Sequence, residues 1–245
     1  MHREPLAVLW PRWQEVLADA PHVNRVVRPQ LLPHLRTIDE AQISDAVRTL
    51  ELDGFIFTLQ QVLAAMVPGA PRVVDAGWPG PLPRPAVGAN VPDGPHDTTL
   101  NDYADALCIS RLTILELLQG AEAVTTLVAA YPRWRSCVAG EAPTTAGAPT
   151  KDLAVMWELA AQEENWGVRA ALLHLAVWRL EASAPGVGRL ARLVMNTVRA
   201  AAGHTWLSLP PDLDDDYRRA VTSALTHGDA GPWAQLLVLP APPLD

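Results

Sequence analysis

A chain of 245 residues with 49% apolar and 19% charged side chains is long enough for one core with a smaller appended lobe, and too apolar to remain disordered. Its net charge of -8 excludes the broad basic footprint of a general nucleic-acid or anionic-membrane binder, while leaving room for a local cationic pocket. The two cysteines, Cys108 and Cys137, lack metal-ligand spacing and read as reduced, buried or half-buried thiols; with no leader-like N-terminus and no apolar run of about 18 residues, the expected location is the cytoplasm.

In chain order, residues 1–67 read as an N-terminal helical region. Ile43, Val47, Leu50, Phe57 and Val62 recur at helical spacing, Gly54 closes one helix and Thr58 caps the next. Residues 68–97 form a Pro/Gly-rich connection, with prolines from Pro68 to Pro95 too dense for helix or central strand, and long enough to serve as a lid or contact surface. Residues 98–245 make the core. Thr98 opens a helix with a stripe of Leu100, Tyr103, Leu107, Leu112 and Leu115, and a broken segment from Tyr131 to Thr150 follows.

Asp152 then opens a helix whose later part, Ala170 to Leu180, is apolar nearly all round, as a buried central helix requires. After a break at 182–188 an amphipathic helix runs from Arg189 to a stop at Gly203, and a last well-marked helix lies between the prolines at 210–211 and Gly228. No repeat or convincing strand pair occurs. The expected class is all-α, a helical bundle around a central buried helix with at most one short β-hairpin. The nine tryptophans are scattered and suit core packing. No zinc spacing, P-loop or GxSxG elbow is present.

The most informative stretch is LLHLAVWRLEASAPGVGRLARLVMN: a buried helix, a glycine turn, and a second helix opening with two arginines three residues apart. It resembles the Fic (filamentation induced by cAMP) family, whose pattern there is approximately LHxxFxxIHPFxDGNGRxxRLLMN. Leu173, His174, Gly186, Gly188, Arg189, Arg192, Leu193, Met195 and Asn196 stand in matching places. Asn101, Tyr103, Ala106 and Leu107 are similar to the family's NYxxAL segment. Thr49, Asp53 and Gly54 resemble its inhibitory-helix motif [S/T]xxxE[G/N], with Asp for Glu.

The resemblance implies an anion cradle in the turn. Gly186 and Gly188 let backbone approach a phosphate, N–H groups at the helix start point at it, and Arg189 and Arg192 on one face clamp it. Arg192 is alternatively paired with the inhibitory-type helix through Asp53. The family also implies a histidine base, a magnesium-holding acid and an asparagine. Here those places hold Glu181, Pro185 and Val187, and Ser183 replaces the motif's phenylalanine.

Without base and metal, ordinary AMP transfer is not expected, since a general base alone contributes roughly 10²–10⁴-fold. No metal site is expected. The leading expectation is a degenerate Fic-fold protein that binds a small phosphate-bearing ligand, such as a nucleotide, or a protein partner, with a homodimer left open. The alternative is a repurposed transferase or tailoring enzyme using a nucleotide or nucleotide-sugar donor, with Glu181 as general base. Against that stands a structural Glu181, paired with Arg179 or Arg189. His174 reads as a core histidine; His204 and His227 read as helix-end residues that interact with the dipole or face solvent.

Overall fold

The computed structural model describes residues 4–23, 31–52, 55, 57, 59–66, 96–139, 151–182 and 184–237. Among these residues the secondary structure is helical throughout and contains no strand. The elements are α1 (Leu6–Ala18), α2 (Leu31–Leu52), α3 (Leu59–Met66), α4 (His96–Leu118), α5 (Ala123–Ala139), α6 (Lys151–Gln162), α7 (Trp166–Leu180), α8 (Val187–Ala201), a 3-10 turn (Pro211–Leu213), α9 (Asp214–His227) and α10 (Gly231–Leu236). The all-α class follows. Gly54, Thr58 and the proline-rich connection lie outside the described residues.

Helix α7 is central because its sequence offers no polar face: every residue from Gly167 to Val177 is buried. It packs on α8, α1, α6 and α9. Its start is fixed by Asn165, whose Oδ1 accepts from the N–H groups of Gly167 at 3.0 Å and Val168 at 3.1 Å, satisfying two donors that have no partner within the helix. This cap corrects the single helix expected from Asp152 onward. The chain breaks at 163–165 into α6 and α7, and the Glu163 carboxylate braces the break by accepting from the Asn165 N–H at 2.8 Å.

Other expectations need correction. Pro132 does not end the helical run before it but sits inside α5. It is exposed, and the carbonyl it leaves unpaired belongs to Val128, which is 41% exposed and so within reach of water. Leu112 is not core but 55% exposed. The buried face of α4 runs through Leu100, Tyr103, Leu107, Ser110, Ile114 and Leu117, and Leu112 lies five residues past Leu107, well round the helix from it. Cys108 is exposed and Cys137 intermediate. Trp13, Trp134, Trp206 and Trp233 are almost fully buried, as core tryptophans should be.

Helix α8 departs most from an amphipathic reading. All residues from Val187 to Ala200 are buried, Arg189, Arg192, Asn196, Thr197 and Arg199 included. Over Arg189, Arg192, Asn196 and Thr197 its polar side is answered by other elements. Asn196 clamps Leu207 through both ends of its amide, at 2.8 and 2.9 Å, and so anchors the segment after α8. Thr197 meets Ser110 of α4 at 2.6 Å.

Candidate functional site: the turn between α7 and α8

The glycine turn is built from its backbone. The Ala184 N–H bonds to the Glu181 carbonyl at 2.7 Å, that of Val187 to Ala184 at 3.3 Å, and that of Leu190 to Gly186 at 3.0 Å. Gly186 sits at φ 70, a left-handed conformation that glycine adopts without strain. A Cβ there would lie 2.6 Å from Arg189 Nη2 and 2.9 Å from the Val138 carbonyl oxygen. A Cβ on Gly188 would lie 3.2 Å from both Arg192 Nη1 and Trp178 Cζ2. The two glycines therefore admit the protein's own guanidinium groups and the end of α5 to the start of α8.

Both arginines are held by protein atoms. Arg189 donates from Nη2 to the Val138 carbonyl at 3.2 Å and lies 5.7 Å above the Phe55 ring. Arg192 donates from Nε to Thr49 Oγ1 at 3.2 Å and lies 5.4 Å from the Tyr217 ring. Thr49 donates in turn to Asp45 Oδ1 at 3.1 Å, and the Tyr103 hydroxyl donates to Asp45 Oδ2 at 3.1 Å. Burial pushes the Asp45 carboxyl up from the usual carboxylate range. Arg192 pulls against that shift, as do the Trp206 indole, lying close without a full hydrogen bond, and the two hydroxyls. Burial and the Asp45 carboxylate together hold the Tyr103 hydroxyl strongly protonated.

Helix α2 thus meets Arg192 through Thr49, with Asp45 behind it, whereas the expected pairing was with Asp53. Asp53 and Gly54 lie outside the described residues. Asp45 went unread in the sequence, although its place four residues before Thr49 sets both on one face. Ile43 and Val47, expected in the core, are only half-buried, while Gln42, Asp45 and Thr49 are inside.

Glu181 caps the end of α7, and its Oε1 accepts from Arg135 Nε at 3.0 Å and from the Tyr131 hydroxyl at 3.2 Å. The expected partners are replaced: Arg179 turns away to the Glu4 carbonyl at 2.6 Å, and Arg189 is held by Val138. Burial, then the Glu181 charge, raises the Tyr131 hydroxyl far above its ordinary value. Where the resemblance implies a magnesium-holding acid stands Pro185, and where it implies an asparagine stands Val187. Neither side chain carries an oxygen donor, so these residues do not fit a bound magnesium. Ser183 lies outside the described residues.

Behind the turn, His174 is fully buried and stacks on Trp233 with ring centroids 4.2 Å apart. Trp178 Nε1 donates to the Tyr217 hydroxyl at 2.8 Å, and that hydroxyl lies 3.3 Å from His174 Nε2. An indole N–H can only donate, so the Tyr217 hydroxyl accepts from it and donates its own proton to His174 Nε2. Burial, helped by Arg192, holds the imidazole down to about 3. His204, rather than facing solvent, is 7% exposed and held down to about 4 by burial and Arg199.

A neutral histidine in the fold and a titrating one in the unfolded chain make stability pH-dependent. The His174 contribution is fully present above about pH 6.5 and is lost as pH falls toward 3, because the unfolded chain then binds the proton that the fold refuses. The loss reaches about 2 kcal/mol at pH 5 for His174 alone. Urea midpoints at pH 7.5 and 5 should show it, and His174→Gln should flatten the difference; an unchanged slope in that variant contradicts the neutral buried imidazole.

An all-helical bundle with a glycine turn between a central helix and a helix opening RxxR is the Fic fold, and solved structures bear this out. Residues 134–508 of Fic-1 from C. elegans match with a TM-score of 0.58 at 17% identity, covering 94% of this chain and 68% of that one. A second structure of that region with one substitution gives 0.56 at 16%, over the same shares. At such identity the likeness is one of fold. No family model and no curated protein matches the sequence. Among the described residues no helix is long and apolar enough to cross a membrane, and no three His, Cys, Asp or Glu side chains are grouped to hold a metal ion.

Proposed function

We propose that this Fic-fold protein works by binding and does not transfer AMP by the histidine and magnesium route, and that its ligand bears a phosphate group. The observation that supports this most directly is the position of Arg189, whose guanidinium lies across Gly186 at the start of α8. First-turn N–H groups and a guanidinium converge where a helix start favours an anion. In the resting protein Arg189 is engaged by Val138 and Arg192 by Thr49, so binding requires Arg189 to swing from a neutral carbonyl to a charged phosphate, a stronger acceptor. The transferase alternative is weakened by Glu181, because its Oε1 is tied to α5 by bonds from Arg135 and Tyr131, which leaves Oε2 as the oxygen a base would have to use.

A thermal-shift screen with ATP, AMP and a nucleotide sugar, with and without magnesium, tests the reading. A ligand at about 100 times its Kd adds about 2.7 kcal/mol, and Arg189→Ala should remove that gain. No label should pass from γ- or α-labelled ATP to protein acceptors. Stabilisation by none of these ligands sinks the phosphate reading; turnover lost in Glu181→Ala sinks the binding-only one.

A further inference from the structure

The other end of α8 carries a buried arginine and a buried, neutral histidine that none of the roles above uses. Arg199 lies on the same face as Arg192 and Asn196, at helical spacing, and is 5% exposed. Its Nε and Nη1 have no hydrogen-bond partner. Burial alone shifts it, down to about 10, with no carboxylate opposing the shift. Beside it His204 is 7% exposed, and its Nε2 also lacks a partner. The backbone joins the two: the His204 N–H bonds to the Arg199 carbonyl at 2.9 Å.

The acceptors that a last-turn arginine ordinarily finds are already in use. The carbonyls of Val198, Arg199 and Ala200 accept from the N–H groups of Ala202, His204 and Gly203 at 3.1, 2.9 and 3.0 Å. The helix dipole favours a cation there, but a dipole does not satisfy N–H donors. A buried guanidinium with unmet donors is among the rarest arrangements in folded proteins, and an added acceptor of opposite charge resolves it.

We propose that Arg199 and His204 form a binding site for a small oxyanion, a phosphate or carboxylate group, separate from the turn at the start of α8. Ten residues of helix separate Arg199 from Arg189, about 15 Å along the axis. Both side chains are more than nine-tenths buried, so the ligand proposed is a single ionic group and not a whole nucleotide. The site stands independently of the role assigned to Arg189.

Thermal shift and calorimetry with inorganic phosphate and with acetate, each against chloride at equal ionic strength, test it on the full chain. At about ten times its Kd the bound anion should raise Tm by about 3–5 °C; which of the two probes acts identifies the phosphate or the carboxylate form. Arg199→Met should lose the shift yet be at least as stable as the parent in chloride, because it removes an uncompensated buried charge. Arg189→Ala should keep it. Should Arg199→Met fail to fold, His204→Gln carries the test and should reduce the shift. The proposal is overturned if neither anion acts beyond chloride, if the full shift survives in Arg199→Met or His204→Gln, or if only Arg189→Ala abolishes it.

Discussion

Gly167→Ala is expected to cost about 3 kcal/mol or more and to leave little folded protein. Alanine is the better helix former by about 1 kcal/mol, so propensity alone predicts the opposite sign. The deciding contact is steric. A Cβ on Gly167 would lie 1.7 Å from the Val23 carbonyl oxygen and 2.9 Å from its carbon. Both are backbone atoms and cannot rotate away. Nor can the two backbones part cheaply: the Val23 N–H is tied to Ala20 at 3.0 Å, Val23 is itself fully buried, and the Gly167 N–H is held in the Asn165 cap. Relieving the clash means moving the turn after α1 or undoing the cap of the central helix. Urea unfolding checks this, and a midpoint equal to or above that of the parent would show that the close approach does not exist.

The central helix and the glycine turn were legible because each leaves a strong local mark. Eleven successive residues without a solvent face specify burial whatever packs on them, and Gly186 at a left-handed φ is a requirement written into one residue. What escaped reading was contact across the chain. Glu181 was weighed against Arg179 and Arg189, its neighbours in sequence, whereas Arg135 on α5 reaches it from 46 residues away. Asp45 went unread because burying a charge is costly unless a distant partner answers it, and its answer lies on α4 and α8. The polar side of α8 misled for the same reason: hydrophobic periodicity cannot distinguish a polar face that meets water from one that meets Thr49, Leu207 and Ser110.

That hidden network carries the second large effect. Asp45→Ala should destabilise the protein by about 3–5 kcal/mol, the range for removing one side of a buried charged arrangement. Asp45 has no exposed surface and Arg192 only 2%. Losing the carboxylate removes the acceptor of both the Thr49 and Tyr103 hydroxyls and the negative charge facing Arg192. Arg192→Met, which keeps the apolar stem, removes the opposing charge instead. If α2 is bound to α8 through this network, the double variant should be more stable than the sum of the single losses predicts, by about 1–3 kcal/mol in a double-mutant cycle. Strict additivity would mean that α2 is held by apolar packing alone. In the coupled case Arg192 cannot turn away from α2 without uncovering the Asp45 charge, and that ties the position of α2 to the start of α8.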